Sequence, residues 1–181
     1  MKNFSYFILA IKNFREVGNF IPSQRFLINK LVSPISKDSK YILELGAGEG
    51  CVTKEIGKRV NDSCKIISFE INPDIIKLSN IDRKNTFVIN DDVLNVKNHL
   101  DKFNIKKIDY IVSSLPLAQI NNKKIDILLK TLNEYLKDDG FYIQYQYSVL
   151  SLKTLKKHYK DIKIKFTPFN LPPAFVYICK K

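Results

Sequence analysis

Three glycines alternate with other residues in the segment Glu44-Leu45-Gly46-Ala47-Gly48-Glu49-Gly50, a spacing that lets a ligand approach bare backbone closely. The apolar run from Tyr41 to Leu45 predicts a strand before the glycines, and the pattern from Cys51 to Val60 predicts a helix after them. A tight turn of this kind also occurs without a ligand. If a ligand does bind, the spacing disfavours a nicotinamide dinucleotide, whose fingerprint is Gly-x-Gly-x-x-Gly before a helix that faces a pyrophosphate.

Polar side chains follow each of the next three predicted strands. Glu70 ends the second strand roughly 20 residues after the glycines, where a carboxylate commonly binds a ribose hydroxyl. Asp91 ends the third strand, and the run Ser113-Ser114-Leu115-Pro116-Leu117 ends the fourth. Because ligands bind at the carboxyl ends of the strands in an open α/β sheet, the four strand ends are expected to share one crevice.

Strand and helix patterns alternate from residue 41 onward, which is typical of a parallel sheet with helices on both faces. The seven predicted strands are 41–45, 65–69, 86–89, 109–112, 140–147, 162–166 and 174–179. Only a short turn separates the last two, and a parallel crossover needs about a dozen residues, so these two are predicted to be antiparallel neighbours. A long helix predicted at 123–137 is expected to end at Asp138-Asp139-Gly140, with the glycine as a left-handed cap.

This order of motifs resembles the class I S-adenosylmethionine methyltransferases, whose first motif is Glu-x-Gly-x-Gly-x-Gly. The resemblance implies a Rossmann-like α/β fold, with a seven-stranded, mostly parallel sheet whose last strand is antiparallel, and S-adenosyl-L-methionine as the cofactor. It also implies that Glu44 meets the cationic methionine end, that Glu70 holds the ribose hydroxyls and that Asp91 bonds the adenine amine. The cofactor-binding residues implied in this way are Glu44, Gly46, Gly48, Glu70, Ile71, Asp91, Asp92 and Ser113.

The chain is similar, from about Phe14 to Lys181, to the bacterial phospholipid N-methyltransferases of the PmtA type. The segments that carry the similarity are Val17-Gly18, Pro22-Ser23-x-Arg25, Ser113 to Leu117, Gln144-Tyr145-Gln146-Tyr147 and Asn170-Leu171-Pro172-Pro173-Ala174-Phe175-Val176-Tyr177. The resemblance implies stepwise methylation of phosphatidylethanolamine towards phosphatidylcholine, with Arg25, Leu115 and Asn170 binding the lipid. Where that family has Gly-Pro after the last tyrosine of the third segment, this chain has Ser148-Val149, which changes the expected acceptor pocket.

The ribosomal RNA adenine dimethyltransferases are a related class and the main alternative. Their fourth motif is Asn-[Leu/Ile]-Pro-[Tyr/Phe], whose asparagine orients the adenine amine and whose aromatic residue stacks on the extruded base. Ser114 and Leu117 stand at those positions here, and the chain reaches Lys181 where those enzymes usually continue into a helical domain. Both features favour a lipid over a nucleic acid. Methylation of another aminolipid, such as an ornithine lipid, and cofactor binding without catalysis are further alternatives.

The residues proposed for catalysis follow the fourth and fifth strands. Methyl transfer to an amine requires alignment, desolvation and a path for a proton. Ser113 or Ser114 could accept a hydrogen bond from the amine, with help from the carbonyl of Leu115. Tyr147 could bond the amine or line an aromatic box for the methylated nitrogen, and packing at the sheet edge is the alternative interpretation. His99 and His158 are interpreted as surface residues.

Residues 1–20 are predicted to form a helix that is separate from the methyltransferase domain at 21–181. Three phenylalanines and two isoleucines recur on one stripe at helical spacing, with Lys2, Lys12 and Arg15 available for anionic head groups. The segment is therefore predicted to be an amphipathic anchor on a membrane surface. Packing on the core of the domain is the alternative.

A formal net charge of +12 over 181 residues predicts an anionic partner, either a phospholipid surface or a nucleic acid. Six lysines between Lys153 and Lys165 form one dense cluster, which could equally be a solvated face. Apolar runs fall short of the roughly 20 residues that a membrane span requires, so we expect a cytoplasmic chain that binds the inner face of the cell membrane peripherally. The three cysteines lack metal-site spacing and are interpreted as reduced thiols, and the oligomeric state is left open.

Overall fold

The computed structural model describes residues 22–168, 170 and 172–181, and the helix predicted at 1–20 lies outside these residues. The helices and strands are α1 (Pro22–Val32), β1 (Tyr41–Leu45), α2 (Cys51–Arg59), β2 (Lys65–Glu70), α3 (Pro73–Leu78), β3 (Thr86–Asn90), α4 (Val96–Lys102), β4 (Ile108–Ser113), α5 (Asn122–Tyr135), β5 (Leu136–Gln146), α6 (Leu152–His158), β6 (Asp161–Thr167) and β7 (Ala174–Lys180). Short 3-10 helices at Val93–Asn95 and Leu117–Gln119 follow β3 and β4.

All seven strands form one sheet, in the order β3-β2-β1-β4-β5-β7-β6. Strands β1 to β5 pair in parallel, whereas β7 is antiparallel to both β5 and β6. Strands β2 and β3 are added on one side of β1, and β4 and the later strands on its other side, so the strand order reverses between β1 and β4. Ligands bind at this switch point in folds of this kind. The predicted Rossmann-like α/β fold with antiparallel last strands is confirmed.

Helices pack on both faces of the sheet and bury two apolar layers. In β1, Leu43 and Leu45 contribute to one layer and Ile42 to the other, and all three are fully buried. This is why apolar residues occupy both faces of the strand instead of alternating with exposed polar residues. Helices α4, α5 and α6 cover the first layer, and α1 and α2 cover the second. Among the described residues, no helix is long and apolar enough to span a membrane.

The end of α5 differs from the prediction. The helix ends at Tyr135 and the strand begins at once, so that Gly140 lies inside β5 and is not a left-handed cap. A Cβ atom on Gly140 would lie 2.9 Å from the carbonyl oxygens of Asp109 and Lys137. Because the register between β4 and β5 shifts near this point, the glycine allows two backbones to approach closely at an irregularity of the sheet.

Candidate functional site

The glycine turn after β1 adopts a backbone that favours glycine. Gly46, Gly48 and Gly50 have φ angles of 81°, 56° and 81°, all in the left-handed region. The amides of Gly46 and Ala47 both donate to the carbonyl of Phe69 at 2.9 Å, which ties the turn to the end of β2. A Cβ atom on Gly48 would meet nothing within 4 Å, so that the backbone there faces open space. The turn therefore presents bare backbone to the crevice, as the sequence predicted.

Glu44 lies fully buried beneath this turn. Its Oε2 accepts hydrogen bonds from the hydroxyls of Thr53 and Ser68, each at 2.6 Å. Its Oε1 has no hydrogen-bond partner within the part of the chain that the structure describes. Burial raises the pKa of the carboxyl group, and the bonds from the two hydroxyls oppose that rise. A buried acceptor without a donor is costly, so this oxygen fits a ligand that brings a cationic or donor group.

Glu70 lies at the rim of the crevice and holds the glycine turn. Its Oε2 accepts from the amide of Gly48 at 2.9 Å, and its Oε1 accepts from the amide of Asn72 at 3.0 Å. Each oxygen keeps capacity for a further donor, such as a ribose hydroxyl. The next residue, Ile71, is a large apolar side chain that is 66% exposed. Asn90 donates to the carbonyls of both Glu70 and Ile71 at 3.0 Å, which joins the ends of β2 and β3.

Asp91 is held by three donors. Its Oδ1 accepts from the amide of Asp92 at 2.7 Å and from the side chain of Asn95 at 2.8 Å. Its Oδ2 lies 2.7 Å from Nε2 of His99, and this bond is the main reason that the pKa of Asp91 falls to about 2. Asp92 accepts from the amide of Leu94 at 3.0 Å and caps the 3-10 helix after β3.

The surface interpretation of the two histidines is wrong. The side chain of His99 is 21% exposed, and its ring meets the edge of Phe69 at 5.4 Å between centroids. The side chain of His158 is 16% exposed and pairs with Asp126 at 3.1 Å. Both side chains are partly buried, and each pairs with an aspartate that lies distant from it in the sequence or on another element. For His99 that partner is a predicted cofactor residue.

The loop after β4 is tied to the glycine turn through Ser114. The amide of Ser114 donates to Leu45 at 2.9 Å, and its hydroxyl donates to the carbonyl of Gly46 at 3.0 Å. The hydroxyl oxygen keeps its acceptor capacity and lies beside the crevice. Ser113, in contrast, is fully buried and accepts from the amide of Leu115 at 3.3 Å. The structure therefore assigns the side chain of Ser113 to the support of the loop and not to contact with a ligand.

The carbonyl of Leu115 already has two partners. It accepts from Nε2 of Gln146 at 2.7 Å and from Nε2 of Gln144 at 3.1 Å, which fills both of its lone pairs. A further bond from the amine to this carbonyl would have to replace one of these two, and its role in binding the amine stays a prediction. The two glutamines were not singled out from the sequence as loop supports, although their spacing on one face of a strand was a usable signal. Leu117 is 2% exposed and packs in the core, so it does not line the acceptor side of the crevice.

Tyr147 directly follows β5 and packs against Tyr145, with ring centroids 5.7 Å apart and planes at 76°. Burial raises the pKa of Tyr147, while hydrogen bonds from Tyr145 and Asn170 lower it. Asn170 is 4% exposed and donates to the carbonyl of Pro172 at 2.7 Å. A tyrosine with a raised pKa stays protonated at neutral pH and can act as a donor. The structure brings Tyr147 and Asn170 together, as the predicted acceptor side requires.

Arg25 lies on the exposed side of α1. It lines a groove of about 380 Å³ between α1 and α2, and the other lining residues are Ile28, Asn29, Lys54, Glu55 and Lys58. Hydrogen bonds join the glycine turn to the ends of β2 and β4 and join the end of β2 to that of β3. The predicted cofactor residues thus form one connected site, and the contact of Arg25 with a lipid stays a prediction.

Comparisons with known proteins point to methyl transfer. The family described as a methyltransferase domain matches residues 36–167, which is more than half of the chain. An ornithine lipid N-methyltransferase from Singulisphaera acidiphila is 28% identical, over 99% of this chain and 97% of that protein. A ribosomal RNA small subunit methyltransferase A from Mycoplasmopsis synoviae is 30% identical over 84% of this chain, which spans 61% of that protein. The structure of a TehB-like SAM-dependent methyltransferase from Corynebacterium glutamicum has a TM-score of 0.64 at 14% identity, over 98% of this chain and 97% of that one.

Proposed function

Because the chain belongs to the class I S-adenosylmethionine-dependent methyltransferases, we propose that it methylates the amine of a membrane aminolipid. The enzyme is a methyltransferase with S-adenosyl-L-methionine as its cofactor. Phosphatidylethanolamine, with its mono- and dimethyl forms, is the acceptor that the sequence predicts. The similarity to an ornithine lipid N-methyltransferase over nearly the whole chain supports an aminolipid acceptor and adds ornithine lipid as a second candidate head group.

Four residues of the connected site are proposed to hold the cofactor. The free Oε1 of Glu44 lies beneath the glycine turn, where it would meet the cationic methionine end. Glu70 would accept from the ribose hydroxyls while it keeps its bond to Gly48. Asp91 would accept from the adenine amine, and the exposed Ile71 would pack on the adenine ring. When bound, the cofactor supplies an electrophilic methyl group on its sulfonium, which an unprotonated amine attacks.

The acceptor side has features that suit an amine on a flexible head group. The hydroxyl of Ser114 donates to Gly46, so its free lone pairs can accept a hydrogen bond from the amine and orient it. Burial raises the pKa of the Tyr147 hydroxyl, so it keeps its proton at neutral pH and its O–H can donate to the head group. The aromatic pair of Tyr145 and Tyr147 could also contact the methylated, cationic nitrogen.

The observation that carries this proposal is the buried Leu117, which is 2% exposed. The ribosomal RNA adenine dimethyltransferases, as the sequence comparison implies, have an aromatic residue at this position to stack on the extruded base. A buried leucine offers no such surface.

Expression in a bacterial host that makes neither phosphatidylcholine nor methylated ornithine lipid tests the proposal. Labelled lipids are extracted and separated by thin-layer chromatography. We expect new methylated forms of one aminolipid, and the identity of the head group decides between phosphatidylethanolamine and ornithine lipid. Unchanged lipids, together with newly dimethylated adenine in small-subunit RNA, would replace the proposal with RNA methylation.

A further inference from the structure

Four large apolar side chains are exposed near one end of the edge strand β6. Ile164 and Phe166 on β6 are 45% and 48% exposed, and Val149 and Leu150 in the turn after β5 are 52% and 73% exposed. We call these four residues the apolar rim. Apolar groups of this size in contact with water commonly mark an interaction surface when they lie together.

Contacts with β7 bring the two parts of the apolar rim to one face of the sheet. Tyr177 pairs with Ile164 in register, and its hydroxyl donates at 3.2 Å to the carbonyl of Ser148, directly before the turn residues of the rim. Phe166 pairs with Phe175, with ring centroids 5.0 Å apart. Because cross-strand partners point to the same face, Ile164 and Phe166 share the face on which Tyr177 and Phe175 lie.

The apolar rim borders the acceptor side of the crevice. Strands β5 and β6 are both antiparallel to β7, so they run in the same direction and end at the same edge of the sheet as β1 and β4. Gln146, the last residue of β5, donates to the carbonyl of Leu115 in the loop after β4. The apolar rim follows this strand along the chain and lies beside it across β7.

The charge around the apolar rim is strongly positive. Between residues 147 and 168 there is one acidic residue, Asp161, and the lysines are Lys153, Lys156, Lys157, Lys160, Lys163 and Lys165. Lys165 alternates with the two rim residues of β6 and so points to the opposite face of the sheet, where its Nζ donates to the hydroxyl of Ser33 at 3.3 Å. The lysines on the same side of the sheet as the apolar rim are those of α6, whose Leu155 packs in one layer with Tyr177. Apolar side chains on an edge strand that has lysines on both sides match an anionic lipid surface, which offers acyl chains below a layer of negative head groups.

A second copy of the chain is a poorer match for this surface. Pairing of two copies along β6 would bring Lys163 and Lys165 of one copy close to those of the other. Like charges that face each other across strands are destabilising, and lysines on an edge strand commonly prevent such pairing. We therefore propose that the apolar rim and its lysines dock the chain on an anionic membrane surface, with the acceptor side of the crevice towards the bilayer.

This proposal rests on the proposed function, because a lipid acceptor is the reason that the crevice should face a bilayer. Its test nevertheless measures binding without turnover. The full chain is sedimented with vesicles of phosphatidylethanolamine and phosphatidylglycerol. The double variant Ile164→Glu, Phe166→Glu is compared with the double variant Leu78→Glu, Ile127→Glu. Leu78 on α3 and Ile127 on α5 are 52% and 64% exposed, so this control adds the same two negative charges at sites outside the apolar rim.

We expect the double variant to bind at least 10-fold more weakly than the wild type, equivalent to about 1.4 kcal/mol, and the control to stay within about twofold. Binding of the wild type should also weaken as salt rises from about 0.05 M to about 0.5 M, because salt screens the lysines. Melting temperature and affinity for S-adenosylhomocysteine establish that each variant is folded. If the double variant does not fold, Leu150→Glu replaces it, because this residue lies in a turn and is 73% exposed.

Vesicle binding that is the same in the wild type and in the rim variant would overturn the proposal. The proposal would also be overturned if the wild type is a dimer and the rim variant is a monomer that still binds vesicles. That result would make the apolar rim an interface between two copies of the chain. A chain that binds vesicles through the rim but methylates no lipid would contradict the proposed function and leave the docking surface supported.

Discussion

Replacement of Glu70 by alanine is the sharpest perturbation of the cofactor site. The carboxylate accepts from Gly48 and Asn72 in the structure and is proposed to accept from the ribose as well. Alanine removes every one of these acceptors and leaves the apolar core unchanged, because Glu70 lies at the end of its strand. The affinity for the cofactor should therefore fall for two reasons, a lost ribose contact and a less fixed glycine turn.

The magnitude follows from the strength of bonds to a charged group. A hydrogen bond to a carboxylate contributes about 1.5–3 kcal/mol, and each 1.4 kcal/mol is a factor of ten in affinity. The loss of one ribose contact alone should thus weaken binding roughly 10-fold to 150-fold. The matched control is Asp74→Ala, which removes the same charge from an exposed carboxylate that pairs with Lys77 on α3.

Isothermal titration calorimetry with S-adenosylmethionine and S-adenosylhomocysteine measures both variants. We expect Glu70→Ala to lose at least tenfold in affinity for each ligand and Asp74→Ala to stay within twofold of the wild type. If Glu70→Ala binds as tightly as the wild type while its melting curve shows a folded chain, the placement of the ribose at Glu70 is refuted.

Three further perturbations test other parts of the account. The bond to His99 lowers the pKa of Asp91 and stabilises the fold fully above pH 3.8, the ordinary pKa of an aspartate; this contribution is lost as the pH falls towards about 2. His99→Leu should therefore raise the midpoint pH of acid unfolding, which is followed by circular dichroism. An unchanged midpoint would contradict this. Tyr147→Phe should lower kcat roughly tenfold at unchanged cofactor affinity, because the O–H of Tyr147 is proposed to act during transfer. Full activity in Tyr147→Phe together with lost activity in Tyr147→Ala would assign the role to the aromatic ring instead. Deletion of residues 2–14, the predicted basic amphipathic segment, should weaken sedimentation with anionic vesicles and preserve cofactor binding, and unchanged sedimentation would place the anchor within the rest of the chain.

The strands were predictable because parallel strands buried on both faces leave continuous apolar runs. The predicted bounds of β1 match the structure, and those of β2 and β3 differ by one residue at the carboxyl end. The start of β5 was not predictable from the same signal. Asp138, Asp139 and Gly140 have turn composition, and only the register shift against β4 explains why they lie inside a strand.

The sequence predicts which strand ends meet at the site, because the topology of an open α/β sheet determines which carboxyl ends lie side by side. The sequence could not predict which polar atoms are already satisfied. Two glutamine amides fill the carbonyl of Leu115, and full burial removes Ser113 from direct contact with a ligand. The bond between His99 and Asp91 joins α4 to the end of β3. Such contacts depend on side-chain directions that neither spacing nor composition determines.

The most direct test of lipid methylation uses the purified chain and S-adenosylmethionine labelled in its methyl group. Separate reactions contain vesicles of phosphatidylethanolamine, vesicles of ornithine lipid, and undermethylated small-subunit RNA, and matching reactions without the chain serve as controls. We expect label in the organic-phase lipid of at least one vesicle reaction and none in RNA. Label in RNA adenine with none in either lipid would contradict it.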